Sequence, residues 1–201
     1  MTDRTVIPLD ETHRAAAVAT LAAAFQDDPA VSWIIPDPAA RARRLLKMYD
    51  WLFSDHLTHG FILGTPGAEA VTMWRAPGKV HYRTPLRPGH LLHLLQIFGP
   101  CILRAAKVGD CIDAHLLRGE GRYYLRYAGV RPEYQGKGLG GLTIRAGLAK
   151  AAQAGVPAVL ETATESNVGL YQRLGFAVRE EWDVPGRGAP HFWTMEHPAQ
   201  A

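Results

Sequence analysis

The stretch "YQGKGLGG", Tyr134–Gly141, holds four glycines in six residues directly after an apolar, aromatic run. Glycine at that density lets backbone amides turn inward and come close to a guest. A phosphate is the natural guest for such a concavity. A turn that only opened a helix would need one glycine, because each further one costs conformational entropy on folding. Three kinds of loop compete. A nucleotide P-loop needs Gly-Lys-Ser/Thr after its spacer. Here Lys137 precedes the middle glycine and no such triplet follows, which excludes it. Read literally, Gly136, Gly138 and Gly141 satisfy G-x-G-x-x-G, and Glu161 stands ~20 residues on, where a ribose-binding acid belongs. Two features count against a dinucleotide fold. Arg131–Gln135 separates the glycines from the preceding strand, and Pro132 has no amide to give. The motif also opens too late in a chain of 201 residues for two mononucleotide-binding halves.

The third kind depends on which elements position the loop. Thr5–Leu9 reads as a short strand, and the alanine-rich segment from Asp10 as a helix ending near Asp27-Asp28-Pro29. "VSWIIPDP" reads as a loop. Asp37 followed by Pro38 is a capped helix start, and that helix runs to His59 with Gly60 as its stop. Leu45, Leu46, Tyr49, Leu52 and Phe53 recur at helical spacing along it. Phe61–Leu63 and Ala70–Arg75 form a strand pair around "GTPG". A proline-rich crossing, "APGKVHYRTPLRPG", leads to helices near His90–Phe98 and Ile102–Leu117. Gly121–Val130 is a strand by its aromatic and branched content. The glycine loop then opens a helix over Gly138–Ala154. A strand at Ala158–Thr162 follows, then a short helix at Ser166–Gly175, and last a strand pair, Phe176–Val184 with His191–Glu196. This is one α/β domain over 1–201, with strand, loop, helix and strand around the glycines.

The bulk numbers agree with one ordinary globular domain. Hydrophobic residues make up 47% and charged residues 20%, with 22 basic against 19 acidic side chains. A net charge of +3 suits a small anionic ligand and is too weak to argue for nucleic acid. "RARRLLK", Arg41–Lys47, reads as a solvated helix face. Cys101 and Cys111 read as reduced, partly buried thiols. No basic start with an apolar core opens the chain, and no uninterrupted apolar run is long enough to span a bilayer. The expected setting is cytoplasmic, with no membrane contact.

Taking Gln135 into the motif resolves the loop. Gln135, Gly138 and Gly140 match Q/R-x-x-G-x-G/A, and Tyr124–Phe176 resembles the core of the GNAT superfamily of acetyl-CoA-dependent N-acetyltransferases. Within it, Tyr134–Gly140, Ala152–Ala163 and Asn167–Phe176 resemble the puromycin N-acetyltransferase-like branch, as more weakly does Ala24–Asp37. Between Gly64 and Gly121 the resemblance fails. It implies a GNAT fold, α/β (α+β), with a mixed central sheet of about six to seven strands flanked by helices. Extra helices would be inserted before the coenzyme-binding strand. The motif core would occupy 121–196, and the divergent acceptor side 10–120.

The resemblance also assigns roles. Amides of Gly136, Lys137, Gly138, Leu139, Gly140 and Gly141 would hold the coenzyme pyrophosphate at a helix N-terminus without a metal, with Gln135 as part of the motif. The strand edge Ala128, Gly129 and Val130 would dock the pantetheine arm, and the small Ala128 and Gly129 suit close approach. Aminolysis of a thioester needs a base for the amine, a donor for the oxyanion such as the Val130 amide, and a group to protonate or stabilise the departing sulfur. Tyr171 stands four residues after Asn167 on one helix face. The family pattern puts that tyrosine beside the sulfur and the asparagine on the coenzyme arm. Glu161, at the carboxyl end of a strand, is the candidate base if burial raises its pKa; it could equally cap the amides of the following turn. Tyr124, Arg126 and His115 are the other candidates.

The acceptor would meet Phe25, Trp33, Tyr124 and His115, beneath a lid built from Phe25, Trp33, Ile34 and the helices after Pro88. His56/His59 and His90/His93 form H-x-x-H pairs without a third ligand at fixed spacing, so no metal is expected and these histidines read as surface or partly packed groups. The implied activity is acetylation of a small-molecule primary amine, by a monomer or homodimer. A protein or peptide N-acetyltransferase and a non-catalytic acetyl-CoA sensor are the competing readings.

Overall fold

The computed structural model describes residues 4–82, 88–116 and 121–199. Its strands are β1 (Ile7–Pro8), β2 (Gly60–Gly64), β3 (Ala70–Arg75), β4 (Tyr123–Val130), β5 (Ala158–Thr162), β6 (Ala177–Asp183) and β7 (His191–His197). Its helices are α1 (Arg14–Ala24), α2 (Pro29–Ile34), α3 (Pro38–His59), α4 (Pro88–Phe98), α5 (Ile102–His115), α6 (Leu139–Gln153) and α7 (Glu165–Arg173). The strands form one mixed sheet in the order β1-β2-β3-β4-β5-β7-β6, the fold class expected. Only β4 and β5 run parallel.

Helices cover both faces. On one, α1 and α3 bury Leu21, Leu45, Tyr49 and Phe53 against Ile62 and Met73. On the other, α6 and α7 bury Ile144, Leu148 and Tyr171 against Trp74, Leu125 and Leu160. The second contact is unusually close. A Cβ on Gly147 would stand 2.2 Å from the Trp74 ring, so α6 lies directly on β3 and any side chain there would lift it.

Three expectations need correction. "VSWIIPDP" is not all loop, since its first residues belong to α2. Asp28 caps that helix through the Val31 amide, with Pro29 in the first turn, the same Asp-Pro device that starts α3. The basic "RARRLLK" run is not a solvated face throughout. Arg41 is buried and donates to the carbonyls of Gln26, Ile35 and Pro36, satisfying the chain ends around α2. His56 is a core residue. Its ring is fully buried, bonds Leu52 through Nδ1, and is kept neutral by burial.

Cys101 and Cys111 are free and half-buried, as expected. Leu91–His115 is long and apolar enough to cross a membrane by length and composition alone. It is interrupted by a 3-10 turn at Gly99–Cys101, and its Ile97 and Val108 pack into the domain. Residues 83–87 of the proline-rich crossing, Leu117 at the expected end of α5, and the side chain of His90 lie outside the described residues.

Candidate active site at the parting of two strands

Strands β4 and β5 pair through Tyr123↔Ala158 and Tyr124↔Val159 and then part. From Leu125 to Val130, β4 keeps its partner β3 on one side only. The other edge presents unpaired backbone groups that an extended amide-bearing chain can join as an added strand. This edge is the predicted Ala128–Val130 and begins three residues earlier. A Cβ on Gly129 would stand 2.9 Å from Leu21 and 3.0 Å from Ala24, so Gly129 is small to admit α1, on the sheet face rather than the edge.

At the end of β4 the glycine loop enters α6. Gly136 and Gly138 have φ of 73° and 79°, left-handed values that glycine adopts without strain. Among the described residues, no amide from Gly136 to Gly141 makes a backbone hydrogen bond. These donors face a helix N-terminus, which suits an anion. Two side chains of the motif turn out to be internal braces. Gln135 donates to the Val130 carbonyl, and Lys137 donates to the Glu133 carbonyl while lying over the Tyr134 ring. Gly140 is small for packing, since a Cβ there would approach Val130 to 3.2 Å.

Glu161 sits where β5 has left β4. Both its carboxylate oxygens are buried and, among the described residues, make no hydrogen bond of good geometry. Burial pushes its pKa up to about 8, and the nearby Tyr124 hydroxyl and the Arg126 charge draw it back only in part. The capping alternative fails, because the turn into α7 is bonded by Thr162 and Thr164 instead. Tyr124 is 6% exposed, and burial with the Glu161 charge holds its hydroxyl protonated.

Arg126 lies two residues after Tyr124 on β4, so strand alternation sets it on the same face. Tyr127 pairs with Met73 and Leu125 with Trp74, so the bulge at Arg126 brings Tyr127 onto that face as well. Its guanidinium lies 3.7 Å from Asp55 and 5.5 Å from the Tyr127 ring centre. Asp55 itself is bonded to the buried Arg75.

Tyr171 and Asn167 share a face of α7. The Tyr171 ring packs edge-on against Phe176. Its hydroxyl has no hydrogen-bond partner among the described residues, and burial pushes its pKa up to about 12, with the nearby Asp28 charge adding to the rise. Asp28 was missed as a site residue. Besides capping α2 it reaches Thr164 at the start of α7, so it ties the acceptor side to the helix bearing Tyr171.

The expected acceptor residues divide into two groups. Phe25 joins Tyr49 and Tyr127 in an aromatic trio with ring centres 5.3–5.8 Å apart. Trp33 lies elsewhere, against the β6–β7 turn, with its indole N–H on the Arg187 carbonyl and Arg104 over its ring. Phe25 and Trp33 therefore do not share one lid. Arg104 and Lys107 of α5 bond the carbonyls of Trp33 and Pro185, clipping α2, α5 and the β6–β7 turn together. His115 bonds Glu180 at 2.9 Å and stacks on Trp182. Glu180 and Glu161 both pair with Thr194 of β7, so their backbones stand two strand spacings apart, about 10 Å, and His115 is bonded to the outer of the two. No group of three or more His, Cys, Asp or Glu that could hold a metal ion occurs among the described residues.

Residues 102–176 match the family model "Acetyltransferase (GNAT) family". A solved histone acetyltransferase HPA2 and related acetyltransferase from Corynebacterium glutamicum superposes over 100% of this chain and 98% of its own, with a TM-score of 0.75 and 22% identity. Arylalkylamine N-acetyltransferase 2 from Aedes aegypti covers 98% of this chain and 99% of its own, at a TM-score of 0.66 and 12% identity. A GNAT family acetyltransferase from Brucella melitensis, solved in complex with acetyl-CoA, covers 98% and 90%, at 0.51 and 18%. At these identities the likeness to solved structures is one of fold.

Proposed function

We propose that this chain, which matches the GNAT acetyltransferase family over residues 102–176 and shares the fold of such proteins, is an N-acetyltransferase using acetyl-CoA, and that it acetylates the primary amine of a small molecule, a metabolite or antibiotic-like compound of the kind taken by puromycin N-acetyltransferase-like proteins. The observation that carries this reading is Glu161, a buried carboxylate with no well-formed hydrogen bond among the described residues and a pKa of about 8, beside the free edge of β4. A base poised near the working pH can take a proton from an arriving ammonium. In this reading the clip made by Arg104, Lys107 and Trp33 would bound one side of the acceptor region, which supports a small acceptor over a polypeptide.

Acetyl-CoA supplies an activated acyl group and a thiolate leaving group. In this reading the Gly136–Gly141 amides hold its pyrophosphate, the β4 edge and Asn167 hold its arm, and the Val130 amide faces the oxyanion. Tyr171 donates a hydrogen bond to the sulfur. With its own pKa near 12 and a free thiol near 8.5, complete transfer of its proton is uphill, so it acts mainly by stabilising the thiolate. The test is thiol release with a panel of amines, alongside thermal melts with and without acetyl-CoA. Turnover of small amines supports the reading. Stabilisation by acetyl-CoA without turnover of any amine would refute it in favour of a sensor.

A further inference from the structure

Arg126 is a site cation that the reaction above does not use. Arg126 and Glu161 each stand two residues beyond the pair Tyr124↔Val159, on the same face of the parting strands, near enough for their charges to interact, and the Arg126 side chain is 30% exposed. Among the described residues its guanidinium makes no hydrogen bond. Asp55 comes closest at 3.7 Å, beyond hydrogen-bond length, and is already bonded to Arg75. Asp113 of α5 also acts on Arg126 through its charge.

A half-buried guanidinium presents a planar set of donors shaped for a bidentate carboxylate. Beside it stands Glu161, a buried carboxyl suited to an ammonium. Such a pair is complementary to a molecule carrying both an amine and a carboxylate. Next to them lies the Phe25–Tyr49–Tyr127 trio, whose Tyr127 ring supports the Arg126 guanidinium. That neighbour suits an apolar or aromatic side chain.

We infer that the acceptor is an amino acid or a close analogue, its amine facing Glu161 and its carboxylate held by the Arg126 fork. This rests on the small-amine reading above and narrows it to a substrate class. Matched acceptors test it: phenylalanine, phenylalanine amide and phenethylamine, with the tyrosine and leucine sets beside them, each assayed by thiol release from acetyl-CoA. The acid is expected to exceed its amide and its decarboxylated amine at least tenfold in kcat/KM, as the loss of a charge-assisted pair predicts. In Arg126→Gln that ratio should fall to near one, whereas Arg126→Lys, which keeps the charge but not the fork, should retain part of it. The pH midpoint of turnover should also rise in Arg126→Gln, since Arg126 draws the Glu161 pKa down. Thermal melts confirm that the variants fold. Turnover without preference for the acid, or a preference that survives Arg126→Gln, overturns the inference while leaving the small-amine reading intact. No turnover with any amine overturns both.

Discussion

Gln135 donates its side-chain amide to the carbonyl of Val130 at 3.1 Å, fastening the start of the glycine loop to the end of the strand that leads into it. The residue that best distinguishes this loop in the sequence is therefore a brace rather than a ligand. Replacing it by alanine should leave the fold intact and loosen the loop. A neutral hydrogen bond contributes about 1 kcal/mol, so Gln135→Ala should weaken coenzyme A binding roughly three- to tenfold by calorimetry, with little change in melting temperature.

Gly138 is the N-cap of α6 and lies in the left-handed region at φ 79°. A β-branched residue is an outlier there. Gly138→Val should lower stability by about 1–2 kcal/mol and abolish the rise in melting temperature that acetyl-CoA gives the wild type. An unchanged affinity for the coenzyme would refute the assignment of this loop to the pyrophosphate.

Much of this was legible in the sequence because it is local. Asp37-Pro38 announced α3, and the glycines with Gln135 announced the loop that opens α6. The Asn167–Tyr171 spacing gave one helix face. Glu161 could be placed at a strand end, although only the fold shows that both its oxygens are buried without a well-formed hydrogen bond. Asp55, Arg75 and Arg126 carry no local signal, because their meeting depends on a helix and two paired strands. Asp28-Pro29 did carry the signal used at Asp37-Pro38. It was obscured by the aromatic and aliphatic residues that follow, which suggested anchors in a loop.

In the proposed mechanism Glu161 sets the pH dependence. Turnover should rise with pH through about 8, as the carboxyl ionises, and Glu161→Gln should lose most activity together with that limb. Folding raises this pKa above its ordinary 4.5. The stabilisation is thus complete below about 4.5 and declines as pH climbs toward 8, at up to about 1.4 kcal/mol per unit. Urea melts of wild type and Glu161→Gln should diverge across that window, with the variant the more stable at the alkaline end.

Tyr171→Phe removes a hydroxyl and keeps the ring against Phe176. Stability and the KM for acetyl-CoA should hold. The rate of the chemical step should fall about a hundredfold, measured as kcat under saturating amine.

Arg75 is 2% exposed, and its bond to Asp55 joins β3 to α3 through the core. Asp55→Ala would leave a buried, uncompensated charge. The expected cost is about 3–5 kcal/mol, seen as a melting temperature lower by roughly 10 °C.

The parting of β4 from β5 has a consequence for how the domain opens. Two residue pairs join the strands on either side, so the sheet is nearly two sheets, β1–β4 and β5–β7, held together largely by α6 and α7 packed across one face. Units so weakly joined exchange their amide hydrogens as separate foldons. A chain of amides laid along the free edge would couple them into one. Protection against hydrogen exchange should then spread on coenzyme binding to β6, a strand the coenzyme never touches.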